Sequence, residues 1–242
     1  MTLTNPYATL MSMIFQNLTK IQKEIDTVCR QLGRNPEEIT LVGVSKNAEA
    51  DKIKEAVNAG LKHIAENRVQ EGERKFPILE KLNNKLTRHL IGHLQTNKVK
   101  SALEWFDVIQ SVDSLKLALE IEKHASALNR IVDVLVQVST SGEEQKFGIP
   151  TDKADDLVKA VGGFMHLRVK GLMTVAPLTD DEKVLRQVFG DLRKLFDHFK
   201  SAYTHHDHID MKYLSMGMSG DFRIALEEGS NMLRIGTAIF HV

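Results

Sequence analysis

The chain has 242 residues, and 32 Lys plus Arg are balanced by 32 Asp plus Glu. That balance leaves no basic surplus to draw in nucleic acid or an anionic membrane. The 42% apolar and 26% charged content is that of a folded globular chain and argues against disorder. The one cysteine, Cys29, excludes an intrachain disulfide and suits a reducing compartment. The opening MTLTNPYATLMSMIFQ lacks the basic leader and cleavage site of a signal peptide. No run approaches the ~20 apolar residues of a membrane span. A soluble, cytoplasmic protein is expected.

The first predicted element is a helix, because Ile14, Leu18, Ile21, Ile25, Val28 and Leu32 make one apolar stripe. ITLVGVSK, ending at Lys46, is β-branched and reads as the first strand. A helix from Ala48 to Ala59 follows, with Gly60 just past its end. The second strand is His63 to Asn67, and its helix runs from about Val69 to Leu82. The third strand is His89 to His93, with a helix from near Thr96. The fourth is Asp107 to Val112, followed by a helix capped by Asp113 or Ser114. The fifth strand is Ile131 to Ser139; its loop TSGEEQKFG leads to a helix opening after Pro150. The sixth is Leu167 to Met173, and Thr179 with Glu182 has the spacing of a capping box before the next helix. The seventh strand is Tyr213 to Met218, with Ser219 as cap of a helix ending near Gly229. The eighth is Met232 to Phe240.

Strands that alternate with helices pair in parallel through right-handed crossovers. About eight such units in one chain of this length predict a single-domain (β/α)8 barrel over residues 1–242, with one extra helix in front. Active sites in such barrels lie at the C-terminal ends of the strands. That rule selects Lys46, Asn67, His93, Ser139, Met173, Thr174, the MGMSG stretch and Gly236-Thr237.

The loop after the seventh strand offers Ser215, Gly217, Ser219 and Gly220 ahead of a helix. Gly236 and Thr237 follow on the eighth strand, so the pair of loops suits a phosphate. Ser219 alone also reads as an ordinary helix cap. A lysine closing a buried strand presents an amine suited to a Schiff base, although a strand-end lysine can equally snorkel to water. Arg234 lies two residues before Gly236 and shares its face, so it is an inward arginine needing an anionic or acceptor partner. His205, His206 and His208 lack the spacing of a metal site and read as a solvated loop. His89 and His93 bracket a buried strand on one face and read as satisfied core histidines, with a route to the site open to one of them, and the EEQK run at 143–146 reads as a polar loop or lid.

The motifs VGVSK (42–46), ENRVQE (66–71), HLIGHLQTNKVK (89–100), QSVDS (110–114), KGLMTVAP (170–177), LSMGMSGDF (214–222) and RIGTAIF (234–240) span nearly the whole chain in one order. In these the sequence resembles the pyridoxal phosphate homeostasis protein family, whose members look like the barrel domain of alanine racemase standing alone. The resemblance implies pyridoxal 5′-phosphate (PLP) held as an internal aldimine on Lys46, with Asn67 approaching the cofactor. It further implies that Ser215, Gly236 and Thr237 hold the phosphate and that Arg234 faces the pyridine nitrogen. The sequence departs from the family at Arg88, where an aromatic residue is usual, at Ala65 in place of glycine, at Asn47 in place of threonine, and in ending FHV.

PLP enzymes use the protonated ring as an electron sink. A permanently charged guanidinium at the ring nitrogen keeps it unprotonated and weakens that sink. Racemisation also needs a base on each face of the substrate carbon, and Tyr7, Tyr203 and Tyr213 have no evident route to the second. The expectation is therefore a non-catalytic, monomeric PLP carrier that buffers the cofactor and supplies apo-enzymes. The alternatives are a weak amino-acid racemase and a cofactor-free Schiff-base barrel.

Overall fold

The computed structural model describes residues 12–79, 86–140 and 147–241. Eight parallel strands form the barrel: β1 (Thr40–Val44), β2 (His63–Glu66), β3 (Thr87–Leu90), β4 (Val108–Val112), β5 (Val132–Ser139), β7 (Leu167–Met173), β8 (Ile209–Ser215) and β9 (Met232–Ile235). A two-residue β6 (Ile149–Pro150) pairs with the end of β5. Neighbours run in chain order, and β1 pairs with both β2 and β9 while β4 pairs with β5, so the sheet closes.

The leading helix α1 (Met13–Gln31) buries Ile14, Leu18, Ile21, Ile25, Val28 and Cys29. Its Ser12 cap accepts from the Phe15 N–H at 3.3 Å. Leu32, expected on that stripe, sits at the C-cap and is 41% exposed. The crossover helices are α2 (Ala50–Asn58), α3 (Val69–Leu79), α4 (Val99–Trp105), α5 (Leu115–Ala127), α6 (Ala154–Gly162), α7 (Glu182–Ala202) and α8 (Phe222–Glu227). As expected, Ser114 caps α5, accepting from the Leu117 N–H.

Two apolar layers result. The larger lies between barrel and helices, and a small one fills the lumen: Val42, Val44, Ala65, Leu135, Met173 and Met232. Strand alternation then continues this inward series to Lys46 beyond Val44, to Asn67 beyond Ala65, and to Arg234 and Gly236 beyond Met232.

Some expected boundaries are corrected. The eighth strand stops at Ile235, and Thr237–Phe240 forms a helical turn, α9. The N–H groups of Ile239 and Phe240 both bond to the Gly236 carbonyl, and both side chains are buried. Burial of an apolar pair thus overrides the strand preference of TAIF. The third strand spans Thr87–Leu90, earlier than read, and the seventh begins at Ile209 and ends at Ser215. Ser219 does not cap α8: Asp221 holds that position, and Ser219 Oγ accepts from the Ala238 N–H at 3.3 Å. Asp181 caps α7, its carboxylate accepting from the Lys183 N–H, while Thr179 Oγ1 accepts from Asp181 N–H.

Candidate cofactor site

Lys46, Asn67 and Gly236 come from three adjacent strands and meet at the C-terminal end of the barrel. The register pairs Val44 with Ala65 and Gly43 with Ile235, one to three residues below them. Lys46 is exposed, whereas its neighbour Ser45 is fully buried on the outer face of the barrel. Asn47 follows in a left-handed conformation, φ 65°, which asparagine tolerates better than most residues. The ammonium of Lys75, buried in α3, donates to the Ser45 carbonyl at 2.8 Å, to Glu66 Oε1 at 2.8 Å and to Glu71 Oε2 at 2.9 Å. Ser45 Oγ donates to Glu66 Oε1 at 2.6 Å, leaving Glu66 Oε2 buried without a partner among the described residues. Burial pushes the Glu66 carboxyl up, against the pull of Lys75 and Ser45. A buried ion pair thus braces the peptide immediately before Lys46. A lysine and a glutamate in amphipathic surroundings give no sign of burial in the sequence, so neither was selected there.

Arg234 lies inside the barrel and is 3% exposed. Its Nη1 donates to Ser215 Oγ at 2.7 Å and its Nη2 to the Thr174 carbonyl at 2.7 Å. Burial lowers its pKa to about 10, opposed by the nearby Asp221. Asp221 is itself pushed up by burial, while the Met218 N–H (2.5 Å) and Arg234 pull it down. The guanidinium has five N–H donors, and Nε donates to no protein acceptor among the described residues. The spare donors suit an unprotonated ring nitrogen.

Ser215, expected to take phosphate, spends its proton on Gln110 Oε1 at 2.7 Å. Gln110 Nε2 lies 3.0 Å from His89 Nδ1, and His89 Nε2 lies 3.0 Å from His63 Nδ1. His89 is held neutral, its pKa pushed down to about 3 by burial and then by His63. Of the two histidines read from the sequence as satisfied core residues, His89 is one and His93 is exposed at the mouth; Gln110 was missed, although it opens the QSVDS motif.

The phosphate candidates gather where the β8 and β9 loops touch. Arg234 N–H donates to the Gly217 carbonyl at 3.0 Å, and Ser219 Oγ meets Ala238 N–H. The N–H groups of Gly236 and Thr237 donate to no protein acceptor among the described residues. A Cβ on Gly236 would stand 3.0 Å from the Val44 carbonyl, so the missing side chain lets the two strand ends close up. These features fit a bound phosphate dianion.

Asn67 lines a cavity of about 450 Å³ with Arg68, Gln70, Glu71, His93 and Lys98. Gly92 secures its backbone, since a Cβ there would fall 2.0 Å from the Asn67 carbonyl oxygen. His93 stacks on Phe147 with centroids 4.2 Å apart and lies 3.5 Å from Asp113. Residues 143–146 lie outside the described part. Tyr203 OH donates to Asp155 Oδ1 on the outer surface, Tyr213 lies in the lumen two residues below Ser215, and Tyr7 is outside the described residues. Among the described residues no group of His, Cys, Asp and Glu could hold a metal ion, and no helix is long and apolar enough to cross a membrane.

A closed parallel barrel with an exposed lysine at its mouth and an arginine beneath defines the class: a barrel of the alanine racemase N-terminal type. The family model described as "Alanine racemase, N-terminal domain" matches residues 16–242, and the chain belongs to that family. Within it, the chain is 38% identical to a pyridoxal phosphate homeostasis protein of Aquifex aeolicus, over 93% of this chain and 96% of the relative. It is 39% identical to the protein of that name from Escherichia coli, over 95% and 97%. The solved structure of PipY from Synechococcus elongatus with PLP bound superposes with a TM-score of 0.81 at 32% identity, covering 94% of this chain and 99% of that one.

Proposed function

We infer that this chain binds PLP at Lys46 and works as a reversible carrier in PLP homeostasis. The observation that carries the reading is the pairing of an exposed Lys46 at the barrel mouth with a buried Arg234 whose Nε has no protein acceptor among the described residues. PLP supplies an aldehyde: the neutral Lys46 amine adds to its carbon, a C=N bond forms and water leaves, and the reverse releases the cofactor. Asn67 would orient the ring near the lysine. Ser219, with the N–H groups of Gly236 and Thr237, would hold the phosphate. Ser215 would act one step back, fixing Arg234.

Arg234 would keep the ring nitrogen unprotonated, so little carbanion stabilisation is expected and delivery to apo-enzymes is the proposed outcome. A monomer in the cytoplasm suits that task. The relatives' names and the PLP in the PipY structure support the reading. The alternative, a weak amino-acid racemase, needs a second base opposite Lys46, and His93 is the described residue at the mouth with suitable chemistry.

The test is near-visible absorbance of the chain mixed with PLP, followed by borohydride reduction, peptide mass mapping and transfer to an apo-enzyme. A band that reduction abolishes, a phosphopyridoxyl mass at Lys46 and recovery of the apo-enzyme are expected. Absence of a band and of the adduct overturns PLP binding. Cα proton exchange of amino acids lost in both Lys46→Ala and His93→Ala would replace the carrier with the racemase.

A further inference from the structure

The lumen holds more polar groups than packing requires, and they are joined end to end. From Arg234 the path runs through Ser215, Gln110 and His89 to His63, with steps of 2.7, 2.7, 3.0 and 3.0 Å. Arg234 can only donate. Ser215 accepts from it, and its own proton goes to Gln110 Oε1, which turns Gln110 Nε2 toward His89. His89 must then accept at Nδ1 and carry its proton at Nε2, donating to His63 Nδ1. Arg234 fixes only the first bond; the remaining directions follow from Ser215 donating to Gln110, and they can reverse because a serine oxygen can accept twice. His63 sits at the opposite, N-terminal end of β2 and lines an open cavity of about 720 Å³ with Gln22, Lys23, Glu37 and Lys62.

We propose that Gln110 and His89 are positioning residues for Arg234, forming a hydrogen-bonded path that fixes which guanidinium edge faces the cofactor and couples that edge to the ionisation of His63. The proposal deepens the PLP reading and rests on it for the identity of the group at the mouth. The coupling is physical. A proton added at His63 Nδ1 finds the His89 Nε2–H already pointing at it. To accommodate the proton, His89 must change tautomer, Gln110 must turn over, and Ser215 must give up donating to Gln110. The charged groups that face His63 are Lys62 beside it and Lys212 on β8, and both oppose its protonation, as does its burial. His89 faces it from β3, and Lys23 of α1 and Glu37 share its cavity.

The test is ¹⁵N-histidine NMR of the whole chain across pH, without and with PLP, on wild type, Gln110→Leu and the isosteric Gln110→Glu. In the chain without PLP, wild-type His89 is expected as the neutral Nε2–H tautomer. Gln110→Leu frees His89 to turn, so the His63 midpoint rises by about half a pH unit, roughly threefold in its protonation constant. In Gln110→Glu the carboxylate accepts from His89 Nδ1–H, so the tautomer reverses. With PLP present, the midpoint of the near-visible band moves up by about half a unit in Gln110→Glu, the scale of one added buried charge. An unchanged His89 tautomer and His63 midpoint in both variants overturns the path, as does a wild-type band midpoint in Gln110→Glu carrying PLP. A wild type that forms no band sinks the PLP reading instead, and the histidine signals of the PLP-free chain still decide the path.

Discussion

Arg234 Nη1 and Gln110 Oε1 converge on a single oxygen, Ser215 Oγ, each at 2.7 Å. That hydroxyl is fully buried, so no water stands ready to replace it. Ser215→Ala removes one atom but strands both a guanidinium N–H and an amide oxygen in the lumen. A buried group left without its partner costs about 1–3 kcal/mol. Urea unfolding of Ser215→Ala should show a loss of that size with little change in m-value. A loss below ~0.5 kcal/mol would mean that the lumen repacks around the gap.

His89 makes the stability depend on pH, with a definite sign. Its folded pKa of about 3 lies below the ordinary histidine value of 6.5. The unfolded chain therefore binds more protons between those limits, and stability rises with pH across that window. The contribution is fully present above about 6.5 and is lost as pH falls toward 3, at about 1.4 kcal/mol per unit. His89→Gln keeps a donor and an acceptor but cannot ionise. Between pH 6 and pH 4 the wild type should lose ~2 kcal/mol more than this variant. The comparison removes the carboxyls Glu66 and Asp221, whose raised pKa values work in the opposite direction. Parallel curves would place a proton acceptor for His89 in the folded chain.

Much of the barrel was legible because its strands are runs of β-branched residues between amphipathic stripes, and the strand-end rule needs only that pattern. It selected Lys46, Asn67 and Gly236 correctly as neighbours at one end. Alternation from Gly236 also placed Arg234 inside. What the pattern could not supply was partnership. Whether Ser215 faces a ligand or a glutamine depends on Gln110, which is 105 residues away in the chain. Lys75 reads as surface until α3 is laid against β1 and β2. The helical turn at Thr237–Phe240 looked like strand because TAIF has strand propensity; it packs instead toward α1, where Asn17 Nδ2 donates to the Ile239 carbonyl at 3.1 Å.

Gly92 offers a separate test of how Asn67 is held. An alanine Cβ would overlap the Asn67 carbonyl oxygen at 2.0 Å and its carbonyl carbon at 2.8 Å, both backbone atoms. Backbone cannot swing aside as a side chain can, so β2 and β3 must separate at their C-terminal ends. Overpacking of this kind costs about 1–3 kcal/mol. Gly92→Ala should lose that much stability and also weaken PLP binding, read by titrating the near-visible band. Lost stability with unaltered PLP binding would show that Asn67 does not approach the cofactor.

Lys75 and Glu66 form an ion pair at 2.8 Å with both side chains almost wholly buried. Taking charges out of water is costly, and such a pair offsets that cost only while both members remain. Lys75→Met leaves the Glu66 carboxyl buried without its cation and, among the described residues, without a partner at Oε2, and it frees the Ser45 carbonyl. A loss on the order of 3–5 kcal/mol is expected in urea unfolding. Adding Glu66→Leu removes the stranded carboxyl, so the double variant should recover most of the loss. The two substitutions touch one cluster and should be strongly non-additive. If the pair only fastens helix to barrel, the double variant will regain PLP binding together with stability. If instead it orients the peptide before Lys46, stability will return while the near-visible band stays weak, because neither methionine nor leucine can hold the Ser45 carbonyl. Additive losses in the two single variants would mean that Glu66 and Lys75 act separately.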